Sequence, residues 1–292
     1  MKVILNDDKI FADTAVTLGN FDGLHRGHVK LIRELKNKAL QYNLKTVVYV
    51  LEKPYNKGLK RILTKEQKIE ILSTMGVDYV YFQDFTKAFS NVTADEFVKD
   101  ILVDRLNMKL AVVGIDYRFG HNRQGDISYL ENNADKFGFK VDVVDKIDGI
   151  SSTNIRKLIQ KGDIREANNL LGRPFCFSGR VIEGLKIGRT IGFRTANLDE
   201  QQGLVIPANG VYKTITTYNN NKYKSITNVG NNPTISNLEY KSIETNIFEF
   251  DQDIYGENIK VEFLDRIRKE KKFKSVDELV MQIKDDITLC KE

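Results

Sequence analysis

Cysteine is scarce in this chain. Of 292 residues, only Cys176 and Cys290 are cysteines. That excludes a disulfide framework and a CxxC metal site, and it fits a reducing cytoplasm. Long apolar runs are missing as well. No stretch of about 18 apolar residues occurs, so no membrane-spanning helix is expected. The opening residues, MKVILNDDKI, lack the apolar core and small-residue cleavage pattern of a secretory leader. Nor does charge of one sign dominate. Forty-five basic residues against 40 acidic ones leave a formal net charge of +5. So small a positive balance is compatible with phosphate-bearing ligands and gives little support to a nucleic-acid partner, and the interleaved signs read as a solvated surface. What remains is a globular composition, 41% hydrophobic and 29% charged. The length allows one large domain or two ordinary ones.

Strand and helix patterns alternate through the first half. Apolar, β-branched runs occur at Ala15–Leu18, Thr46–Leu51, Tyr79–Phe82, Leu110–Val113 and Lys140–Val144. Helical periodicity lies between them at Gly27–Tyr42, Lys65–Met75, Ala94–Arg105 and Ile127–Phe137. This alternation predicts βαβ units and a parallel sheet, with ligands at the carboxyl ends of strands. Two short helices follow at Ser151–Lys161 and Ile164–Leu171, and Gly172–Pro174 punctuates the chain. From Phe175 to about Leu264 the sequence reads as five strands separated by turns, which predicts a closed antiparallel barrel. A last helix spans about Val276 to Leu289, with Ser275 and Glu278 spaced as a capping box. The expected fold is therefore α/β: a Rossmann-like domain over residues 1–172, then a β-barrel domain with a terminal helix over residues 173–292.

The chain has three histidines, and two of them share the stretch TLGNFDGLHRGHVKLI. His25 and His28 stand three apart where a strand gives way to a helix. Such a pair also suits an ordinary first helical turn, and no third clustered ligand completes a zinc site. Gly19, Gly23 and Gly27 make the backbone around the turn permissive. The free N–H groups and dipole of the following helix favour a phosphate. Imidazoles there can donate to a phosphoryl oxygen, most usefully where charge develops. A second segment, GISSTNIRKLI, places Ser151, Ser152 and Thr153 ahead of a helix with Arg156 in its first turn. The hydroxyls suit a cap, and Arg156 suits a forked grip on phosphate oxygens. A third, VVGIDYRFGHNRQGD, is a loop after a strand that carries Asp116 and Phe119. It is either a surface loop or a cover over a ligand.

The second half has its own constellation. GRVIEGLKIGRTIGFRTANL carries four glycines between strand-like runs, as in a hairpin or a loop that admits phosphates. Thr195 and Asn197 are two apart and face one side of an extended chain. Their oxygens suit an Mg²⁺–phosphate assembly. In SIETNIFEF, Ile243, Thr245 and Ile247 face one way, and Glu244, Asn246 and Phe248 the other. Glu244 is an ordinary half-exposed residue or a general base for a substrate hydroxyl.

Taken together, these segments resemble the prokaryotic bifunctional riboflavin kinase/FAD synthetase family. The first half matches its adenylyltransferase motifs through Gly19-Asn20-Phe21-Asp22-Gly23 with His25 and His28. It continues through Gly114, Asp116, Phe119, Gly120, Arg123, Gly125 and Asp126, then Ile150 to Thr153 with Arg156. The second half matches the kinase motifs through Gly179 to Leu198, Pro207 with Gly210-Val211-Tyr212, and Asn228-Val229-Gly230 with Pro233-Thr234. Glu244, Asp253 with Tyr255-Gly256, and Arg268 with Glu270 and Phe273 complete that match.

The resemblance implies phosphorylation of riboflavin to FMN, then attack of FMN on the α-phosphorus of ATP to give FAD and pyrophosphate, with Mg²⁺. It implies that His25 and His28 stabilise the transferring phosphate and Arg156 the pyrophosphate. Gly19, Asn20, Phe21, Asp22, Gly27, Ser152 and Thr153 would meet ATP. Asp116, Phe119 and Arg123 would meet the flavin. In the barrel, Gly184 and Arg189 would meet ATP, Thr195 and Asn197 Mg²⁺, Glu244 the ribityl hydroxyl and Arg268 the flavin.

Three departures from the family pattern stand out. LEKPYNKG lacks a Pro-His-Pro element, Arg194 replaces the proline before Thr195, and Asn246 replaces a histidine. The departures in the barrel leave the alternative of an FAD synthetase with an impaired kinase, and the mildly basic pI of about 8.9 leaves that of a flavin-sensing or RNA-binding regulator on the same scaffold.

Overall fold

The computed structural model describes residues 1–5, 8–52, 60–184, 192–199, 203–231 and 241–291. The chain divides into two compact units, Met1–Ser152 and Thr153–Glu292. The expected boundary at 172/173 lies farther along. Helices α5 (Ser152–Lys161) and α6 (Ile164–Leu171) stand between the two positions.

The first unit is built on a six-stranded parallel sheet. Its strands are β1 (Lys2–Ile4), β2 (Thr14–Gly19), β3 (Lys45–Glu52), β4 (Tyr79–Asp84), β5 (Met108–Gly114) and β6 (Lys140–Val144). They lie in the order β1-β4-β3-β2-β5-β6. Strand β2 is buried along nearly its whole length, as a strand covered on both faces must be. The chain winds outward from β2 through β3 to β4, then returns to place β5 on its other side. That reversal makes the carboxyl ends of β2 and β5 a topological switch point, where open α/β sheets bind ligands. The loops after these two strands carry the histidine motif and the Asp116 motif. Helix α1 (Arg26–Gln41) follows β2 and buries Leu31, Ile32, Leu35 and Ala39. Helix α2 (Lys65–Thr74) opens on a full capping box, Thr64 with Gln67.

The expected helix from Ala94 to Arg105 needs correction. Only Ala94–Glu96, α3, is α-helical, and Phe97–Val103 continues as a π-helix. The wider turn still buries Phe97, Val98 and Leu102. Strand β1 escaped the sequence reading because three residues carry no period.

The second unit is a closed barrel of six antiparallel strands. These are β7 (Phe175–Ile182), β8 (Ala196–Leu198), β9 (Gly210–Tyr218), β10 (Asn221–Asn231), β11 (Lys241–Ile247) and β12 (Asn258–Lys269), in the order β10-β11-β8-β7-β12-β9. Strand β8, the three-residue tail of the glycine-rich motif, is the extended run expected after its glycines but lies outside the five strands counted from the sequence. Part of the barrel interior is polar. Thr214, Thr216, Ser225, Thr227 and Thr245 are buried and share a chain of hydroxyl hydrogen bonds of 2.8–2.9 Å. Helix α6 joins the barrel through Asn168, which donates to the Phe263 carbonyl and accepts from the Phe175 amide.

Helix α7 (Val276–Lys291) packs on the outside of the barrel, where Cys290 meets Val211, Ile226 and Phe248. Its cap departs from a strict box. Ser275 Oγ accepts from the Glu278 amide, but the Glu278 carboxylate accepts from the Lys274 amide, one residue early.

Candidate active sites

The turn after β2 is tight and left-handed at three places. Phe21, Gly23 and Leu24 have φ of 47°, 82° and 40°. Phe21 and Leu24 are fully buried, so packing holds these two bulky residues in a conformation that side chains disfavour. The turn delivers His25 as the N-cap of α1. His25 Nδ1 accepts from the His28 amide at 3.4 Å, which places the imidazole proton on Nε2. The His28 ring stacks on His25 with centroids 3.7 Å apart and planes 13° from parallel. The Phe21 ring stands 5.1 Å from His28. Gly27 packs closely beside this stack: a Cβ there would stand 3.2 Å from the His25 ring, so the ring would have to give by a few tenths of an ångström. The arrangement joins two imidazoles to the positive end of a sixteen-residue helix.

Asp22 and Asn20 brace the turn. Asp22 Oδ1 accepts from the Ile62 amide at 2.9 Å, and the Asp22 carbonyl accepts from Ser152 Oγ at 2.6 Å. The Asn20 carbonyl accepts from Lys68 Nζ at 3.2 Å. Lys68 is only 3% exposed and pairs with the buried Glu52 at 2.6 Å. No motif pointed to Lys68 or Glu52. A lysine inside α2 reads as surface until burial reveals it.

The Asp116 loop is divided in character. Asp116 is exposed and pairs with Lys146 at 2.9 Å, and Arg123 is exposed at φ 60°. Phe119 is 7% exposed and lies among Phe97, Tyr117 and Tyr129. Its expected flavin contact thus meets a ring built into the core. Thr153 and Arg156 belong to the second unit, where Arg156 donates to Thr153 Oγ1 at 3.3 Å.

In the barrel, strand register assembles a row. Asn228, Glu244 and Asn197 are direct partners across β10, β11 and β8. All three are half-buried on the face opposite the hydroxyl chain. Phe248 follows on that outer face and is covered by α7. Burial pushes the Glu244 carboxyl above its ordinary range, against a hydrogen bond from Ser242 that lowers it. A carboxyl so raised is a better proton acceptor once ionised. Gly184 packs on Asn197, and a Cβ there would overlap the Asn197 amide.

A cavity of about 180 Å³ opens beside the row, lined by Arg194, Thr195, Asn197, Thr245, Asp251 and Tyr255 among others. Thr195 and Asn197 thus share one cavity wall. Arg268 lies elsewhere in this unit. Its guanidinium is gripped by the buried Asp286 of α7 at 2.8–3.1 Å. Arg189, Pro233-Thr234 and most of the Leu51–Gly58 loop lie outside the described residues.

Known proteins match both units. An FAD synthetase family model matches residues 7–156, and a riboflavin kinase model matches residues 171–292. The bifunctional riboflavin kinase/FMN adenylyltransferase of Buchnera aphidicola from Schizaphis graminum is 38% identical, over 99% of this chain and 96% of its own. The protein of the same name from Escherichia coli K12 is 35% identical, over 94% and 90%. This chain belongs to the bifunctional riboflavin kinase/FMN adenylyltransferase family.

A relative of that family from Listeria monocytogenes is 36% identical over 97% of this chain and 93% of its own. A crystal structure described as a macrolide-efflux protein from Streptococcus pneumoniae aligns with a TM-score of 0.90 and 37% identity. The alignment covers 100% of this chain and 98% of that one. Among the described residues, no helix is long and apolar enough to cross a membrane.

Proposed function

We propose that the chain makes FAD from riboflavin in two ATP-dependent steps, one in each unit. The observation that carries the reading is the pairing of the stacked His25–His28 cap with the Asn228–Glu244–Asn197 row.

In the barrel, riboflavin presents its ribityl hydroxyl to Glu244. The ionised carboxylate takes the proton as the hydroxyl oxygen attacks the terminal phosphorus of ATP, and ADP leaves with FMN formed. Thr195 and Asn197 would hold Mg²⁺. Both offer neutral oxygens, and Gly184 leaves room for the Asn197 amide, so the donors suit an ion bound mostly through phosphates. The ion would neutralise phosphate charge during transfer. Gly184 and Arg189 would meet ATP. Arg268, whose guanidinium Asp286 grips, would meet the flavin.

In the first unit, a phosphate oxygen of FMN attacks the α-phosphorus of ATP and pyrophosphate leaves. No side chain acts as nucleophile. Gly19, Asn20, Phe21, Asp22 and Gly27 shape the turn that receives ATP, with Ser152 and Thr153 from the third motif. His25 and His28 donate to the transferring phosphate as its charge grows, and the family resemblance assigns the pyrophosphate to Arg156. Asp116 and Arg123 contact the flavin side, and Phe119 supports their loop from the core. The two cysteines, both free and buried, suit a reducing cytoplasm. The partners are small molecules: riboflavin, FMN and ATP.

The test is incubation with riboflavin, ATP and Mg²⁺, with products resolved by chromatography. FMN and FAD are both expected. FAD from supplied FMN without FMN from riboflavin would leave an FAD synthetase alone. Retention of flavin or RNA with no product would make the chain a regulator.

A further inference from the structure

The two departures from the family pattern in the barrel meet in one hydrogen bond. The ladder between β11 and β8 has two pairs, Glu244 with Asn197 and Thr245 with Ala196. One more step of the register would set Asn246 opposite Thr195. The backbone pairing stops there, and a side chain takes over. Asn246 Nδ2 donates to the Arg194 carbonyl at 2.6 Å.

We propose that Asn246 is a positioning residue of the kinase site, holding Thr195 through the backbone of Arg194. The inference rests on the kinase reading above. Position 194 carries a proline in the family pattern, and proline would fix φ near −65° just before Thr195. Arginine removes that restraint and leaves the chain freer where it enters a three-residue strand. The Asn246 amide restores the restraint by another route, pinning the carbonyl that immediately precedes Thr195.

Arg194 adds a second tie. Its Nη1 donates to the Asp251 carbonyl at 3.2 Å, and both residues line the cavity that contains Thr195 and Asn197. Residue 194 is therefore held by its carbonyl on one side and by its side chain on the other. Thr195 Oγ1 and the Asn197 amide keep their relative placement only if this entry to β8 is fixed. Asn246 touches no reacting atom; its effect is transmitted through one peptide unit.

The test uses the full chain and four variants: N246L, N246H, R194P and the double variant R194P/N246L. Leucine keeps the size of asparagine and removes the donor; histidine keeps a donor. Kinetics of riboflavin phosphorylation are measured alongside FMN adenylylation and thermal melting. One net hydrogen bond corresponds to roughly a 5–10-fold effect. N246L is expected to lower kinase kcat/KM for ATP by about that factor, chiefly through KM, with adenylylation unchanged. N246H should return to within about twofold of the parent. In the R194P background, where proline supplies the restraint, N246L should cost less than about twofold.

An equal cost of N246L in both backgrounds overturns the proposal, as does an N246L enzyme with an unchanged kinase KM. A loss matched by a lower melting temperature also overturns it, since that is a packing defect. Should R194P fail to fold, the contrast of N246H with N246L decides: rescue supports the proposal, and no rescue refutes it. A parent chain that forms no FMN sinks the kinase reading itself. An active parent with an indifferent N246L sinks only this inference.

Discussion

Lys68 is the residue whose removal tests the first unit most severely. Its ammonium is 3% exposed, donates to Glu52 at 2.6 Å and reaches the Asn20 carbonyl at 3.2 Å. Replacing it by methionine keeps the volume of the side chain and leaves the Glu52 carboxylate buried. Losing one partner of a buried pair costs roughly 3–5 kcal/mol. Arg61 stands 3.4 Å from the other Glu52 oxygen, so the lower end applies. For a domain of this size, each kcal/mol shifts melting by about 2–4 °C, so about 3 kcal/mol lowers it by roughly 6–12 °C.

Calorimetry of the full chain reads this directly, with the barrel transition as internal reference. The charge-free pair E52Q/K68M should recover most of the loss, because it buries no unpaired ion. K68M should also raise KM for ATP in adenylyl transfer, since the Asn20 carbonyl loses its brace. A shift under about 2 °C, or a double variant no better than K68M, would show that this pair holds neither the sheet nor the turn.

Other expectations follow from the barrel. Burial raises the Glu244 carboxyl above its ordinary value, so kinase kcat/KM should fall on the acid side at a pH above the usual carboxylate range. A pH profile that falls only with ordinary carboxylate titration contradicts this. The linkage sign agrees: a carboxyl whose folded pKa is raised contributes stability below its unfolded pKa and loses it as pH rises through the folded one. E244Q should therefore melt higher than the parent at neutral pH, which thermal scans across pH can check. G184A should abolish phosphorylation and spare adenylylation, because its Cβ would displace the Asn197 amide; parallel rate assays decide. T227V removes bonds of 2.9 Å to both Thr214 and Thr245. It should cost about 2 kcal/mol, or roughly 4–8 °C of barrel melting, while T227S should cost little.

Much of the fold is legible in the sequence. Strands β2 to β6 carry apolar runs long enough to read, and α1, α4 (Ile127–Phe137), α5 and α6 show clear periodicity. The histidine turn stood out because glycine, histidine and a strand end coincide in twelve residues. Three kinds of information were hidden. A strand as short as β1 has no period. The π-helical turn at Phe97–Val103 keeps the same buried residues as an α-helix, so its pattern is indistinguishable. Pairings across the fold depend on register: Asn228 with Glu244, Asn246 with Arg194, Lys68 with Asn20. The interior hydroxyls of the barrel illustrate the same limit. Thr214, Thr216, Ser225, Thr227 and Thr245 read as polar surface until closure turns them inward and pairs them.

The central claim is that two sites, one per unit, perform two successive transfers. Its most direct test is product analysis with H28A and E244Q, each given riboflavin, ATP and Mg²⁺, and separately FMN, ATP and Mg²⁺. H28A should accumulate FMN and form no FAD from either substrate. E244Q should form no FMN from riboflavin yet convert supplied FMN to FAD. Loss of both activities in either folded variant would contradict the account.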